Sequence, residues 1–361
     1  GHSNGSAYAD LDYDGDLDLV VSNVNASANV FINQTEVVFP ENRYLKVSLN
    51  AENGSAIGSK VFLRFEGKNI YQEESEAVNA TDSKVEINQP AEKQIFKKTS
   101  GFLAELEHQE NYFLDYNRDR LLYHRRSTEG PAFAKGDVNK DGRQELYLGG
   151  AKGHAGKLLR WNGTGYVVKQ EFVEEKNSED TDAVFGDFNG DGLLDLLVAS
   201  GGNEYGMGDL PLSNRLYLND GNGNLSLNQS AGFLAEKNST SSISVIDFDK
   251  DGDLDVFFGE RLRPFLFGIP CDGGIWINDG EGKFQNQTDQ IAPELKALGM
   301  ITDGQWTDID SDGDHDLIVI GEWMEITVFI NDSGNLKKSK NVALTDKKGW
   351  WNRIEANDID G

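Results

Sequence analysis

The stretch Ser242–Gly259 reads SISVIDFDKDGDLDVFFG, and its centre, Asp247 to Asp255, sets acidic residues at alternate positions around one glycine. The N-terminal flank alternates apolar and polar residues, and the C-terminal flank is a short β-branched and aromatic run. Both are strand patterns rather than the 3.6-residue period of a helix. The local unit is therefore an Asp-rich turn between two strands.

The same nine-residue pattern recurs as DLDYDGDLD from Asp10, DVNKDGRQE from Asp137, DFNGDGLLD from Asp187 and DIDSDGDHD from Asp308, and a further copy starts at Asp358. From Asp137 onward the copies start 50, 60, 61 and 50 residues apart, the period of a repeat array. The interval from Asp10 to Asp137 is 127 residues, which predicts an insertion between the first two copies.

Calcium takes six to eight oxygen ligands, and a loop with carboxylates or amides at positions 1, 3 and 5 can curl them around one ion, with a glycine at position 6 for the sharp turn. Those side chains, with the acid at position 9, are Asp10, Asp12, Asp14 and Asp18; Asp137, Asn139, Asp141 and Glu145; Asp187, Asn189, Asp191 and Asp195; Asp247, Asp249, Asp251 and Asp255; and Asp308, Asp310, Asp312 and Asp316. Position 7 adds a backbone carbonyl, from Asp16, Arg143, Leu193, Asp253 and Asp314. An EF-hand would need flanking helices and a Glu at position 12. Without metal, three or four carboxylates per loop repel one another and their pKa values rise. The expectation is about five calcium ions with oxygen-only ligands, the second loop being altered by Asn139 and the longer Glu145.

Beyond each loop and its apolar strand comes a second signature, such as RLYLNDGNGNL (Arg215–Leu225) and GIWINDGEGKF (Gly274–Phe284). Asn-Asp-Gly with a following glycine is a hairpin signal. One repeat thus reads strand, calcium loop, strand, variable loop, strand, tight turn, strand, which is a four-stranded antiparallel blade. The predicted fold class is all-β, a β-propeller of such blades plus a small β module.

These residues resemble the FG-GAP/VCBS repeat superfamily, which includes the calcium-bearing blades of integrin α propellers and many bacterial surface proteins. The stretch NRYLKVSLNAENGSAIGSKVFLRFEGK (Asn42–Lys68) is similar to the start of an ASPIC/UnbV domain, although the glycine-rich and Trp-containing continuation is missing. EHQENYFLDYNRDRLLYHRRSTEGPAFAKGDVNKDG (Glu107–Gly142) resembles the linker and first blade of a second propeller in large surface proteins of the Bacteroidetes type. The resemblance implies a closing blade of an upstream propeller over 1–40, a diverged ASPIC/UnbV-like module over 41–105 and a second propeller over 106–361, incomplete at its C-terminal end. The alternative layout is a single propeller with the module inserted between blades. NDIDG stops within a copy of the motif, so both ends are expected to be internal to a longer chain.

The chain has 361 residues and a net charge of −27, from 61 acidic and 34 basic residues, which disfavours nucleic acid or an anionic membrane as partner. Five calcium ions would bring that charge to −17. Forty glycines and seven prolines suit tight β turns. The one cysteine, Cys271, is expected to be a buried thiol. No apolar segment is long enough for a transmembrane span, and residues from Gly1 onward do not have the pattern of a signal peptide. Eleven Asn-x-Ser/Thr sequons fit a secreted eukaryotic protein or an Asn-rich bacterial one. The reading favours the extracellular space or a bacterial outer-membrane surface.

The long, unrepeated loops follow each second strand, on the end away from the calcium turns. They carry Tyr205, Arg261, Arg263, Trp323, Trp350 and Trp351. Aromatic planes beside Arg and Asn suit sugar rings or peptide anchors. Packing between blades, with Arg261 paired to an acid, is the competing reading for these residues. The charge run EFVEEKNSED (Glu171–Asp180) is expected to be a solvated turn, and HRR (His124–Arg126) a linker contact. Two functions compete. One is a non-catalytic cell-surface module for a glycan or protein, as in a nutrient-uptake or adhesion assembly. The other is a calcium-dependent enzyme such as a polysaccharide lyase, for which no catalytic constellation is legible.

Overall fold

The computed structural model describes residues 3–12, 14, 17–23, 26–35, 60–65, 68–73, 96–99, 108–120, 122, 124–340 and 348–356. Asp16, the copy from Asp358, and most of the ASPIC/UnbV-like stretch lie outside them.

The described chain is all-β, with few and short helical turns. Sheet I comprises β1 (Ser3–Ala9), β2 (Asp18–Asn23) and β3 (Ala26–Asn33). A separate hairpin follows, β4 (Lys60–Phe65) with β5 (Lys68–Glu73), and then β6 (Phe96–Thr99) returns to pair antiparallel with β3. The fourth strand of sheet I thus comes from the far side of the inserted hairpin. Sheet II is β7 (Phe133–Gly136), β8 (Glu145–Leu148), β9 (Lys157–Trp161) and β10 (Tyr166–Glu171). Sheet III is β11 (Glu179–Gly186), β12 (Asp195–Gly201), β13 (Arg215–Asn219) and β14 (Leu225–Leu227). Sheet IV is β15 (Ser239–Ile246), β16 (Asp255–Leu262), β17 (Gly273–Asn278) and β18 (Phe284–Asn286). Sheet V is β19 (Met300–Thr307), β20 (Asp316–Glu325), β21 (Thr327–Asn331) and β22 (Leu336–Lys338), and β23 (Lys348–Trp350) pairs with the far end of β20.

Every sheet is antiparallel, and sheets II to IV are up-and-down meanders of four consecutive strands. Second strands such as β12 are buried on both faces, which explains their continuous apolar runs. The outer strands β14, β18 and β22 have three residues each, so sheets III to V end on a short edge that resists edge-to-edge pairing. The four apolar cores lie between successive sheets. Leu196 and Val198 face sheet II while Leu197 faces sheet IV, as the two-residue strand period requires. Cys271 is fully buried, and burial pushes its thiol up to about 12.

First strands of successive sheets lie side by side. A bulge recurs in them, and its extra residue donates a side-chain hydroxyl to the next unit: Thr181 to the carbonyl of Thr240 at 2.7 Å, Ser241 to Ile301 at 2.7 Å, and Thr302 to Trp351 at 2.8 Å. Three residues beyond the accepting carbonyls of Thr240 and Trp351, the backbone N–H of Ile243 reaches Asp182, and that of Ile354 reaches Asp303. Trp351 therefore stands where a further unit would begin.

Candidate metal centres and the loop-rich end

All five Asp-rich loops occupy the same place. Position 1 follows the last residue of a first strand, and position 9 opens the second strand. In the four loops of sheets II to V the position 6 N–H donates to the position 1 carboxylate, for example Gly192 to Asp187 at 2.8 Å, and the position 7 N–H donates to position 5, for example Leu193 to Asp191 at 2.8 Å. Position 6 is a left-handed glycine throughout (Gly142, Gly192, Gly252 and Gly313). Position 4 is left-handed too, although it is Lys140, Lys250 and Ser311 in three of the loops. A non-glycine residue pays for that conformation, and such strain concentrates at functional sites.

Oxygens of Asp10, Asp12 and Asp18 lie within 4.8 Å of one another, as do those of Asp247, Asp249 and Asp251 and those of Asp308, Asp310 and Asp316. Oδ1 of Asp187 and Oδ1 of Asp247 are buried without a hydrogen-bond partner among the described residues. Oxygens held together, desolvated and unpartnered fit a hard divalent cation. Burial, then the charge of Asp251, pushes Asp249 up from the ordinary carboxylate range.

The position 9 acid has a second task that the spacing did not disclose. One oxygen accepts the N–H of position 2 and the other accepts the N–H of the asparagine closing the third strand. Asp255 takes Phe248 at 3.0 Å and Asn278 at 2.8 Å, and Asp18, Asp195 and Asp316 repeat the pattern. That asparagine side chain reaches further. Asn278 donates to Leu254 within its sheet and to Phe188 in the preceding unit's loop, and Asn219 likewise donates to Leu194 and Val138. In the second loop the strand closes on Trp161 instead, and Glu145 turns its spare oxygen to Asn139 Nδ2 at 2.8 Å.

Burial pushes Asp195, Asp255 and Glu145 up to about 7 and Asp18 to about 6, against the lowering effect of the backbone N–H donors. Because their folded values lie above the unfolded ones, the native state holds extra protons between about pH 4 and pH 7, so stability falls as pH rises through that window. The metal-free chain is expected to melt at a lower temperature at pH 8 than at pH 5, and the increment from added calcium is expected to grow with pH because the ion displaces those protons. Melting curves at both pH values, with and without calcium, check this. A metal-free midpoint higher at pH 8 would contradict it.

The opposite end is crossed by residues 108–130. His108 contacts the carbonyl of Gly149, Arg118 donates to the carbonyls of Asn203 and Tyr205 and stacks on Phe265 at 3.2 Å, and Arg126 pairs with Glu322. Arg126 is thus a buried ion-pair residue. Arg261 pairs with Glu322 and, at 3.4 Å, with Glu129, and Arg263 pairs with Asp272 at 3.2 Å. Tyr205 donates its hydroxyl to Asn177 and carries the Lys152 ammonium 4.1 Å from its ring centre. Trp351 is half-buried and serves the hydroxyl contact from Thr302. Trp323 and Trp350 are 64% and 43% exposed, with ring centres 5.1 Å apart, and Trp350 lies 6.1 Å from His124. Trp323 sits at a register shift with φ of 58°, a strained setting for so large a residue. In the charge run expected to be solvated, Glu179 and Asp180 are buried. Asp180 is held by Arg215 within sheet III and by Tyr147 and the N–H of Gly150, two contacts that arise only when sheets II and III meet.

The family model of the FG-GAP-like repeat matches residues 137–198, 187–258 and 308–361. No curated protein matches the sequence. Among solved structures, the chain is similar to an Agrocybe aegerita lectin described for specific recognition of non-reducing terminal N-acetylglucosamine, at 15% identity and a TM-score of 0.38, covering 92% of this chain and 78% of the lectin. It is also similar to the V. cholerae biofilm matrix protein Bap1, at 13% identity and a TM-score of 0.38, over 95% of this chain and 39% of Bap1.

Proposed function

We propose, from the FG-GAP-like repeats that this chain carries, that it is a calcium-stabilised β-propeller segment of an extracellular recognition protein. The observation that carries the reading is the placement of five Asp-rich loops at one equivalent turn of five antiparallel sheets, four of four strands and one of five, with desolvated, unpartnered carboxylate oxygens at Asp187 and Asp247. Side-by-side first strands and apolar cores between successive sheets support the propeller geometry. Extracellular modules bind calcium at about 0.1–1 mM, a concentration that the cytosol does not supply. Calcium counting on the metal-free chain tests the reading: one ion is expected per intact loop, and Asp249→Ala is expected to remove one. A chain that takes up no calcium would overturn it.

Ligand recognition falls on the loop-rich end, with Trp323 and Trp350 as the contact pair. Their exposed planes, tilted by 32° to one another, with His124 stacked on Trp350, suit the apolar face of a sugar ring or an aromatic peptide anchor. Strain at Trp323 supports a role other than packing. Trp323→Ala is expected to change stability by within about 0.5 kcal/mol and to abolish retention on immobilised cell-surface glycan or protein ligands. A large stability loss with unaltered retention would return Trp323 to a packing role. Trp351→Ala, by contrast, is expected to destabilise.

A further inference from the structure

We propose a second kind of cation site, for a hard divalent ion such as calcium, where residues 108–120 cross the end of sheet III, far from the repeated loops. Its donors are Asn111 Oδ1, Glu179 Oε1, Asn203 Oδ1 and Glu204 Oε1, together with the Glu110 carboxylate. Each of the four named oxygens is buried and has no hydrogen-bond partner among the described residues. Glu179 and Asn203 are fully buried, and Glu204 is more than nine-tenths buried.

Local backbone geometry brings Glu179, Asn203 and Glu204 to one turn. Glu179 opens β11 and pairs with Gly201, the last residue of β12. Gly202 then turns left-handed, with φ of 88°, and folds the chain back over Glu179. A Cβ on Gly202 would stand 2.6 Å from Glu204 Oε2 and 3.3 Å from Glu179 Cβ. The opposite oxygens of these side chains are accounted for: Glu179 Oε2 accepts the N–H of Lys152 at 3.3 Å, and Glu204 Oε2 accepts that of Asn203 at 3.1 Å. The Asn203 amide nitrogen donates to Asp115 and Asp119, both at 3.1 Å, which fixes its oxygen as the remaining acceptor.

Charge points the same way. Glu110, Glu179, Glu204, Asp115 and Asp119 gather here, five acids against two nearby cations, Lys152 and Arg118, each of which also contacts other groups. Arg118 is committed to backbone carbonyls and to Phe265, and the Lys152 ammonium lies over Tyr205. Asp180 is already paired with Arg215. Buried acceptors left unsatisfied are destabilising. Five oxygens from carboxylates and amides, with no thiolate and with His108 turned to Gly149 and Glu110, select calcium over zinc. Bound there, the ion ties the crossing segment to sheet III.

Two measurements on the whole chain test the site. Calcium per chain is counted for the wild type and for the isosteric Glu179→Gln, Glu204→Gln double variant. The variant is expected to bind one ion fewer, while Asp249→Ala loses a different one, so the two losses add. Terbium-soaked wild-type crystals are expected to show an anomalous peak coordinated by Glu179 and Glu204, a readout that does not depend on the variant folding. Equal counts in a folded double variant would overturn the site. So would a wild-type map in which Glu179 shares a proton with a neighbouring carboxyl and no ion is present. Failure of the repeated loops to bind calcium would leave this test intact, because its peak lies at the other end of the sheets.

Discussion

Stripping calcium from the folded chain is expected to lower its thermal midpoint by on the order of 10 °C or more. Each loop holds several carboxylate oxygens close together, within 4.8 Å in three of the loops, and two loops contain a desolvated oxygen without a partner. Removing the ion leaves that repulsion uncompensated. An ion bound only to the native state at about 100 times its Kd contributes about 2.7 kcal/mol. About 1 kcal/mol moves the midpoint by ~2–4 °C in a domain of 150–250 residues, and by less in a longer chain. Two or three ions therefore suffice for a shift of this size. Scanning calorimetry in excess chelator against millimolar calcium, at matched ionic strength, measures it. Identical curves would rule out calcium as the stabiliser.

The second large effect separates two roles within one loop. Asp255→Ala is expected to destabilise the chain by about 2–6 kcal/mol with calcium and without it, because two buried N–H groups, of Phe248 and Asn278, lose their acceptor, at about 1–3 kcal/mol each. Asp249→Ala removes an exposed carboxylate that accepts the N–H of Asp251 at 3.3 Å, so its cost is expected in calcium and to vanish in chelator. Urea unfolding of both variants under both conditions gives four values. Equal, calcium-only losses would reduce Asp255 to a ligand like the others. A loss for Asp255→Ala that persists in chelator identifies the position 9 acid as the staple joining loop, second strand and third strand.

That staple marks a boundary of what residue spacing can convey. Asp247, Asp249 and Asp251 lie within a few residues of one another, so the carboxylate spacing and Gly252 suffice to place an Asp-rich turn and to raise the expectation of a cation there. Asp255 looks like one more ligand in the same string. Its partners include the N–H of Asn278, 23 residues on, and Asn278 in turn reaches the carbonyl of Phe188 in the preceding unit. The signal was present as an asparagine closing four third strands, at Asn33, Asn219, Asn278 and Asn331, but it reads as a hairpin residue until the sheets are stacked.

By itself the sequence determined the all-β class, the four-strand repeat, the position of each Asp-rich loop between a first and a second strand, and the existence of an interruption after the first unit. Those features rest on short-range chemistry: two-residue side-chain alternation, glycine at left-handed turns and oxygen donors within nine residues. Tertiary structure alone decided the rest. It brought β6 back across the insertion to complete sheet I, carried residues 108–130 over the loop-rich end, and took Glu179 and Asp180 out of water although they close a run that reads as solvated. It also committed Arg261 to Glu322 and Glu129 while leaving Trp323 exposed. These outcomes depend on which surfaces meet when successive sheets pack, and whether a charged side chain is buried is set by partners that lie tens to hundreds of residues away.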